Sequence, residues 1–420
     1  MLKCEKCVPA FSRRHFLRFS LGTGAGLAAA SLPQMAQAQQ TVAKQSSGKG
    51  AKAVIMLWMG GGPTQYETFD PKPKAPFKPI DTSAPGVKFS ELLPICASQA
   101  KHMAVIRSMA THEGVHERGT SLMHIGMAPI QGIEIAPMGT VVSYEKGDKQ
   151  FPLPHFIAID PPLIPQSTAL GEDYMPFRLN NADNPIPNVR RSVDANRDKE
   201  RAKLLLDQNK EWAAKRQQKE VSKVEAAYVK SEDIMNTPLL KAFNYREEPA
   251  ELVKEYGGRF GINCLLARRL VQAGVSFVEI GLGGWDMHDD VAGGCKQRVP
   301  EVDRGLGTLI KDLAEKDMLK ETLVLWCGEF GRTPDINGGK GRDHWANGFS
   351  VVLAGGGIQG GRVHGDTGPN GAACNKPVSI YDLFATIYYA CGIDPRKKYE
   401  YDGRKLPYVK GGKPLMDLFA

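Results

Sequence analysis

The sequence has no long apolar run beyond its first 40 residues, so no later segment is suited to cross a membrane as a helix. The six cysteines beyond residue 40 are widely spaced, without the pattern of a zinc ribbon, and no segment repeats along the chain. The formal net charge is only +8, and five of the basic residues fall within the first 38 residues. This charge is too small and too scattered to indicate a nucleic-acid partner. The remaining composition is that of an ordinary globular protein, with 42% apolar and 24% charged residues over 420 positions.

The amino-terminal residues match a twin-arginine export signal. Residues 12–18 read Ser-Arg-Arg-His-Phe-Leu-Arg, and a modestly apolar stretch rich in glycine and alanine follows over residues 19–30. Residues 36–38, Ala-Gln-Ala, are the small residues that a signal peptidase needs, so we predict a signal peptide over residues 1–38. The alternative is an uncleaved anchor, but the apolar stretch is shorter than the ~20 residues that span a bilayer. We therefore expect a periplasmic or extracellular protein with no stable membrane insertion after cleavage.

Apolar segments that alternate with helical patterns predict an α/β fold. After a polar linker at residues 39–50, we predict a single domain over residues 51–420 with a charged helical insertion at about 191–235. Continuous apolar runs predict buried strands, at residues 53–59, 103–108, 156–160, 275–280, 322–327 and 349–354. Apolar residues at helical spacing predict helices, at residues 260–273, 299–319 and 380–391. This alternation is typical of a central, mostly parallel sheet sandwiched between helices.

Three later segments place carboxylate and imidazole side chains on glycine-rich turns. They read Gly-Gly-Trp-Asp-Met-His at 283–288, Gly-Glu-Phe-Gly-Arg-Thr at 328–333 and Gly-Arg-Asp-His-Trp at 341–345. The first two follow predicted buried strands, and an open α/β sheet forms its sites on loops at the carboxyl ends of parallel strands. Mixed Asp, Glu and His side chains suit a divalent metal ion, whose identity among Zn, Mn, Mg and Ca stays open.

Each candidate ligand in these segments also has a purely structural interpretation. The predicted metal ligands are Asp286, His288, Glu329, His344 and Asp343. Arg332 lies three residues after Glu329. We predict that its guanidinium binds a substrate oxyanion through two hydrogen bonds, or that it forms an ion pair with the carboxylate of Glu329. The structural alternatives for the others are a solvated acidic turn and a hydrogen-bonded loop.

An earlier segment, residues 112–116, spells His-Glu-Gly-Val-His, the motif of zinc proteases. That chemistry needs both histidines on one helix face and the glutamate as base. The central glycine disfavours a helix, so a zinc protease that uses His112, Glu113 and His116 is a distant third hypothesis. On a strand-end loop these histidines would instead line a metal or anion site, and His124 lies nearby.

In combination, these segments resemble the bacterial domain of unknown function 1501 family. The resemblance rests on Gly-Gly-Pro and Thr-Phe-Asp-Pro-Lys-Pro within residues 61–73 and on the three later segments, and it covers nearly all of residues 51–420. It implies an alkaline-phosphatase-like and sulfatase-like fold with a metal site at the carboxyl ends of the strands. The implied function is metal-dependent hydrolysis of phosphate or sulfate esters, with a small anionic ester or an exported polymer as substrate. The alternative is a non-catalytic metal-binding or anion-binding protein of the same fold, and the oligomeric state stays open.

The resemblance also implies roles for individual residues. Asp286 and His288 resemble the Asp and His of one metal site, and His344 resembles the single histidine before the next strand. In an alternative register, Asp343 and His344 form the pair and His364 is the single histidine.

The chain departs from the superfamily pattern at three places. Phe330 stands where a ligand histidine is expected. The first predicted strand ends in glycines where the pattern has an aspartate, and Asp70 is the nearest substitute ligand. His116 falls at the position of the nucleophile, where a cysteine or serine is expected, so it is a candidate ligand or nucleophile. This departure argues against a formylglycine sulfatase.

Overall fold

The computed structural model describes residues 50–419 except 163, 164, 166, 184, 187, 188, 190–192 and 217–228. The predicted signal peptide and nearly all of the predicted linker lie outside these residues. Residues 48–183 and 241–420 form one compact unit, and residues 184–240 belong to another. Within the described residues, no helix has both the length and the apolar composition that crossing a membrane requires.

The described strands and helices follow the chain in this order. The strands are β1 Ala53–Gly60, β2 Pro79–Asp81, β3 Lys88–Ser90, β4 Met103–Met109, β5 Phe156–Ile159, β6 Phe177–Leu179, β7 Phe277–Gly283, β8 Thr322–Cys327, β9 Gly331–Arg332, β10 His344–Trp345, β11 Phe349–Ala354, β12 Arg362–His364, β13 Lys398–Tyr401 and β14 Arg404–Pro407. The α-helices are α1 Pro94–Gln99, α2 His116–Ile125, α3 Met138–Lys146, α4 Ala195–Arg216, α5 Ala250–Tyr256, α6 Arg259–Gln272, α7 Val291–Glu315 and α8 Ile380–Ala390. Short 3-10 helices cover Ala100–His102, Glu172–Tyr174, Pro238–Phe243, Tyr245–Glu247 and Met416–Leu418.

An eight-stranded sheet forms the centre of the larger unit. Its strand order is β12-β4-β11-β8-β1-β7-β5-β6, and helices including α3 and α6 pack on its central strands. Pairing along the sheet is parallel except on both sides of β11, so seven strands run in one direction. The central strands β1, β8 and β11 are almost entirely buried, as their continuous apolar sequences require. The predicted α/β class with a mostly parallel sheet is confirmed.

The direction of β11 follows from the segment before it. A crossover that keeps two strands parallel normally contains a helix, whereas the described residues 328–348 contain none. They form the short ribbon β9–β10 instead, and the chain returns antiparallel to β8. This helix-free return leaves a long loop at the carboxyl edge of the sheet.

Helix α7 begins eight residues earlier than the predicted start at residue 299. Asp290 caps it by accepting a hydrogen bond from the backbone N–H of Gly293 over 3.1 Å. The prediction failed here because Gly293 and Gly294, which lie in the missed part of the helix, are poor helix formers. Gly294 lets the side chain of Met287 pack closely on the helix, since a Cβ atom at this position would lie 2.7 Å from the sulfur of Met287. The helix therefore starts directly behind the loop that follows β7.

Candidate metal centre

The loops that follow β1, β7 and β8 pack directly against one another. Gly61 has a φ of +114°, and a Cβ atom on it would lie 2.5 Å from the backbone nitrogen of Asp286. Gly62 has a φ of +72°, and a Cβ atom there would lie 2.7 Å from the ring of Phe330. Trp285 is 1% exposed and fastens the loop after β7 onto this junction. The glycines that end β1 therefore permit three loops to meet without side chains between them.

Two further elements deliver histidines to this junction. The ribbon pairs His344 with Arg332, so both lie side by side above the sheet. Helix α2 begins at His116 and packs closely on the loop after β8, since a Cβ atom on Gly119 would lie 3.1 Å from the Cβ of Glu329. His116 thereby faces the same junction as the ribbon.

Three histidines surround the carboxylate of Asp286. The Nε2 atoms of His288 and His344 lie 3.1 and 3.2 Å from Asp286 Oδ1. His116 Nε2 lies 3.3 Å from Asp286 Oδ2, but without hydrogen-bond geometry, and it has no hydrogen-bond partner. One ligand atom each from His116, Asp286 and His344 falls within 4.8 Å of the others. All four side chains are partly exposed, so solvent and a small solute can reach them.

The other ring nitrogen of each histidine is held by an acceptor outside the cluster. These contacts are His116 Nδ1 to Glu329 Oε1 at 2.7 Å, His288 Nδ1 to Asp343 Oδ1 at 2.9 Å and His344 Nδ1 to Gly114 O at 2.7 Å. Because a carbonyl or an ionised carboxylate only accepts hydrogen bonds, Nδ1 carries the proton and Nε2 presents a lone pair. Histidines that bind a metal ion in proteins have the same arrangement: one ring nitrogen binds the metal, and the other donates its N–H to a carboxylate or a carbonyl oxygen.

Two of these lone pairs face each other at short range. The Nε2 atoms of His288 and His344 are 3.0 Å apart. With both Nδ1 atoms protonated, this contact is repulsive unless one ring gains a second proton or a cation lies between the rings. Three imidazoles and a carboxylate form a donor set that suits a divalent ion such as zinc. The arrangement therefore fits a divalent metal ion, and the donor set leaves the identity of the ion open.

The carboxylate of Asp286 is held in its ionised form. Burial opposes ionisation, but the hydrogen bond from Arg332 and the positive charge of its guanidinium lower the pKa of Asp286 to about 2. A carboxylate at the centre of the cluster thus stays negative and available to a cation at any neutral or mildly acidic pH.

Arg332 is not placed to bind a substrate oxyanion as predicted, because its guanidinium is buried and each of its three nitrogens already donates a hydrogen bond within the protein. The side chain is 1% exposed, and its guanidinium donates to Asp286 Oδ1 over 2.6 Å. Its other acceptors are backbone carbonyl oxygens, those of Gly61, Gly62, Trp285 and Arg342. Arg332 therefore fastens the strand-end loops together around Asp286.

Glu329, predicted to be a ligand, lies behind His116 instead. It is 2% exposed, and its Oε1 accepts from the backbone N–H of Gly61 over 2.8 Å as well as from His116. This position orients the imidazole and increases its electron-donating strength. Phe330, also fully buried, lies below the rings of His116 and His344, with centroid distances of 4.9 and 4.5 Å.

Asp343 orients His288 rather than contacting Asp286. Its hydrogen bonds from His288 and Asn337 lower the pKa of Asp343. Asn337 was missed from the sequence, yet its Nδ2 donates to both Asp343 Oδ1 and the backbone oxygen of His288. Its Oδ1 accepts from the backbone N–H groups of Gly339 and Gly341. The segment around Asn337 reads as a turn, but no local signal indicates its contact with a residue 49 positions away.

Five other sequence candidates lie outside the cluster. Asp70 is buried and pairs with Lys72 Nζ at 2.9 Å, while Thr367 donates to its other oxygen, so it is a structural residue. His112 precedes α2 with a φ of +56° and lies 2.9 Å from Asn347 Oδ1. Because α2 begins at His116, the two histidines of the zinc-protease motif do not share a helix.

The remaining candidates have partners of their own. Glu113 accepts from Arg118 Nε over 2.8 Å, which leaves it unsuited to act as a base. His364, the single histidine of the alternative register, lies on the edge strand β12 and pairs with Asp417 at 2.6 Å. His124 is buried beneath the centre and lies 3.1 Å from Glu279 Oε1.

The chain matches the family described as protein of unknown function (DUF1501) over residues 51–419, and it belongs to that family. No curated protein matches it in a sequence search.

Several solved structures are similar to it at low sequence identity. The PsFucS1 sulfatase from Pseudoalteromonas sp. is 13% identical, with 90% of this chain and 73% of that chain covered and a TM-score of 0.41. The lipoteichoic acid synthase LtaP from Listeria monocytogenes is 9% identical, with 87% of this chain and 76% of that chain covered and a TM-score of 0.39. The alkaline phosphatase from the Antarctic bacterium TAB5 is 12% identical, with 73% of this chain and 92% of that chain covered and a TM-score of 0.31. Because these TM-scores are below 0.5, the function of this chain must be argued from its own side chains.

Proposed function

We propose that this protein is an exported, metal-dependent hydrolase of phosphate or sulfate esters. Its centre would consist of Asp286, His116, His288 and His344. The observation that carries the proposal is the convergence of three Nε2 lone pairs on one carboxylate, at 3.1 to 3.3 Å. The Nδ1 atom of each imidazole donates a hydrogen bond to an acceptor outside the cluster, which fixes the ring orientation. The cluster is therefore preorganised for a cation, unlike a chance grouping of polar side chains on the surface.

A divalent ion in such a centre polarises an ester oxygen and lowers the pKa of water. The chain itself contributes the orientation of each ligand. Glu329 holds His116 from inside the protein, Asp343 holds His288 from the surface, and Arg332 keeps Asp286 ionised. The partial exposure of the ligands leaves one side of the centre open to an ester.

Water supplies the attacking oxygen in this proposal. Among the described cysteines, five are buried, and burial raises the pKa of Cys295, which lies nearest in sequence to the centre. No serine or threonine hydroxyl of the described residues is hydrogen-bonded to the four cluster side chains.

Metal analysis and an ester panel test the proposal together. The folded protein should retain a divalent metal after dialysis and hydrolyse at least one aryl phosphate or aryl sulfate. His344→Ala should abolish both properties. His364→Ala is the matched control, because it removes a histidine that pairs with Asp417 outside the centre. A metal-free wild-type protein, or hydrolysis that persists unchanged in His288→Ala, would refute the proposal.

A non-catalytic metal-binding protein of the same fold is the second candidate. It is favoured by the engagement of Arg332, which leaves no free guanidinium at Asp286 to bind an ester oxyanion. On this alternative the metal is retained and His344→Ala lowers thermal stability, while no ester is hydrolysed by the metal-loaded wild-type protein.

A further inference from the structure

The two oxygens of the Asp286 carboxylate face different groups. Oδ2 lies 3.3 Å from His116 Nε2. Oδ1 accepts a hydrogen bond of 2.6 Å from Arg332 Nη2, and the Nε2 atoms of His288 and His344 lie 3.1 and 3.2 Å from the same oxygen. One carboxylate therefore lies between the candidate metal position and a buried guanidinium.

The guanidinium of Arg332 lies within a cage of oxygen atoms. Besides Asp286 Oδ1, it donates to Gly62 O at 2.9 Å, Arg342 O at 2.9 Å and Trp285 O at 3.2 Å. The carbonyl oxygen of Gly61 completes the set. Five carbonyl and carboxylate oxygens thus enclose the guanidinium, and oxygens of these types are the ligands that hard cations such as Ca²⁺ take in proteins. Here the position is filled by a side chain that is 1% exposed.

We propose that Arg332 is a built-in cation of this centre, which therefore binds only one metal ion per chain. The inference rests on the proposed function, because it concerns the metal stoichiometry of the same site. A guanidinium remains charged at any working pH and cannot dissociate. It thus supplies a permanent positive charge behind Asp286, and the metal on the exposed side is the only exchangeable cation. In this role Arg332 is a positioning residue, since it acts through Asp286 and the loop carbonyls.

The stoichiometry of the wild-type protein is the first test. Native mass spectrometry after titration with Zn²⁺ or Mn²⁺ should show one specific ion per chain, lost in His344→Ala. Two specific ions per chain would overturn this inference and leave the proposed function intact. No bound ion would overturn the proposed function and this inference with it.

Chemical rescue is the second test. In Arg332→Ala, we expect the affinity for Zn²⁺ to fall by about tenfold or more, as for the loss of other groups that orient ligands. Millimolar guanidinium or Ca²⁺ should restore part of that affinity and raise the melting temperature of the variant, whereas NaCl at equal ionic strength should not. If neither cation has an effect, the cage does not select a cation and the inference is wrong.

Arg268→Ala is the matched control for the loss of a buried, ion-paired arginine. Arg268 is also 1% exposed and pairs with Asp312 Oδ2 at 2.8 Å, away from the centre. This variant should lose stability, keep one metal ion per chain and gain nothing from guanidinium. If Arg332→Ala does not fold, Arg332→Lys serves instead, because it keeps the charge but not the planar fork. It should keep the stoichiometry of one ion with a lowered affinity, and two bound ions in it would overturn the inference.

Discussion

Glu329→Gln tests whether the groups behind the histidines support a metal ion. Glutamine keeps the shape of the side chain, and its amide oxygen can still accept from Gly61 N–H and His116 Nδ1. Only the charge is removed, so the imidazole of His116 becomes a weaker donor. Loss of such an outer carboxylate typically lowers metal affinity by about 10–100-fold, or roughly 1.4–2.7 kcal/mol.

The structure also predicts an order of effects between the two carboxylates. Glu329 is 2% exposed, whereas the side chain of Asp343 is 56% exposed and its charge is screened by water. Asp343→Asn should therefore lower the affinity less than Glu329→Gln does. Glu321→Gln is the control, because Glu321 forms an exposed pair with Lys52 just before β8, whereas the centre lies beyond the carboxyl end of that strand.

Competition titration of Zn²⁺ against a chromogenic chelator measures these affinities directly. Circular dichroism of each metal-free variant checks that the fold is intact. Equal affinities of Glu329→Gln and the wild type would refute the argument that His116 is a ligand supported from behind. A larger loss in Asp343→Asn than in Glu329→Gln would refute the argument from burial.

Three further predictions concern the surroundings of the centre. Asp286 has a pKa lowered from 3.8 to about 2, so its ionisation stabilises the metal-free fold above pH 3.8, and this contribution is lost as the pH falls towards 2. Urea unfolding at pH 5 and at pH 2.5 should show that the stability difference between the wild type and Asp286→Asn shrinks at the lower pH, and a constant difference would contradict the assignment. His112→Ala should leave metal affinity unchanged, because His112 lies outside the cluster, whereas His116→Ala should abolish binding, and equal losses would restore the zinc-protease hypothesis. Phe330→Ala should lower the free energy of unfolding by about 3–5 kcal/mol, because it leaves a cavity below the rings of His116 and His344. Retention of wild-type stability in a chemical denaturation curve would show that the ring is not a packing element.

Most of the sheet was predictable because its strands are buried on both faces. Continuous apolar runs such as residues 322–327 are typical of strands that are covered on both faces of a sheet. Boundaries were less predictable where glycine interrupts a pattern. Strand β7 continues through Gly281 to Gly283, beyond the predicted end at residue 280, because those residues still pair with β1.

The ligands themselves were partly predictable. Asp286, His288 and His344 follow strands or lie on the long return to β11, and glycine-rich strand ends predicted that such side chains would meet. His116 was recognised only as a residue of uncertain role, because its helix is short and because the protease-like motif at residues 112–116 ends at the first residue of that helix. What no local pattern indicated is which side chains touch Asp286 and which stand behind the histidines.

The sequence by itself determined the class of fold, the edge of the sheet at which polar side chains collect and the family to which the chain belongs. These features depend on hydrophobic periodicity, on glycine at tight turns and on residue order, which are local properties of the chain. Only the tertiary structure decided that Glu329 and Asp343 orient histidines, that Arg332 is enclosed by oxygen atoms and that Asp70 is a structural residue. Such roles depend on contacts of 2.6 to 3.3 Å between residues that are in most cases far apart in the chain. Packing of the strand-end loops sets those distances, and a linear pattern does not contain them.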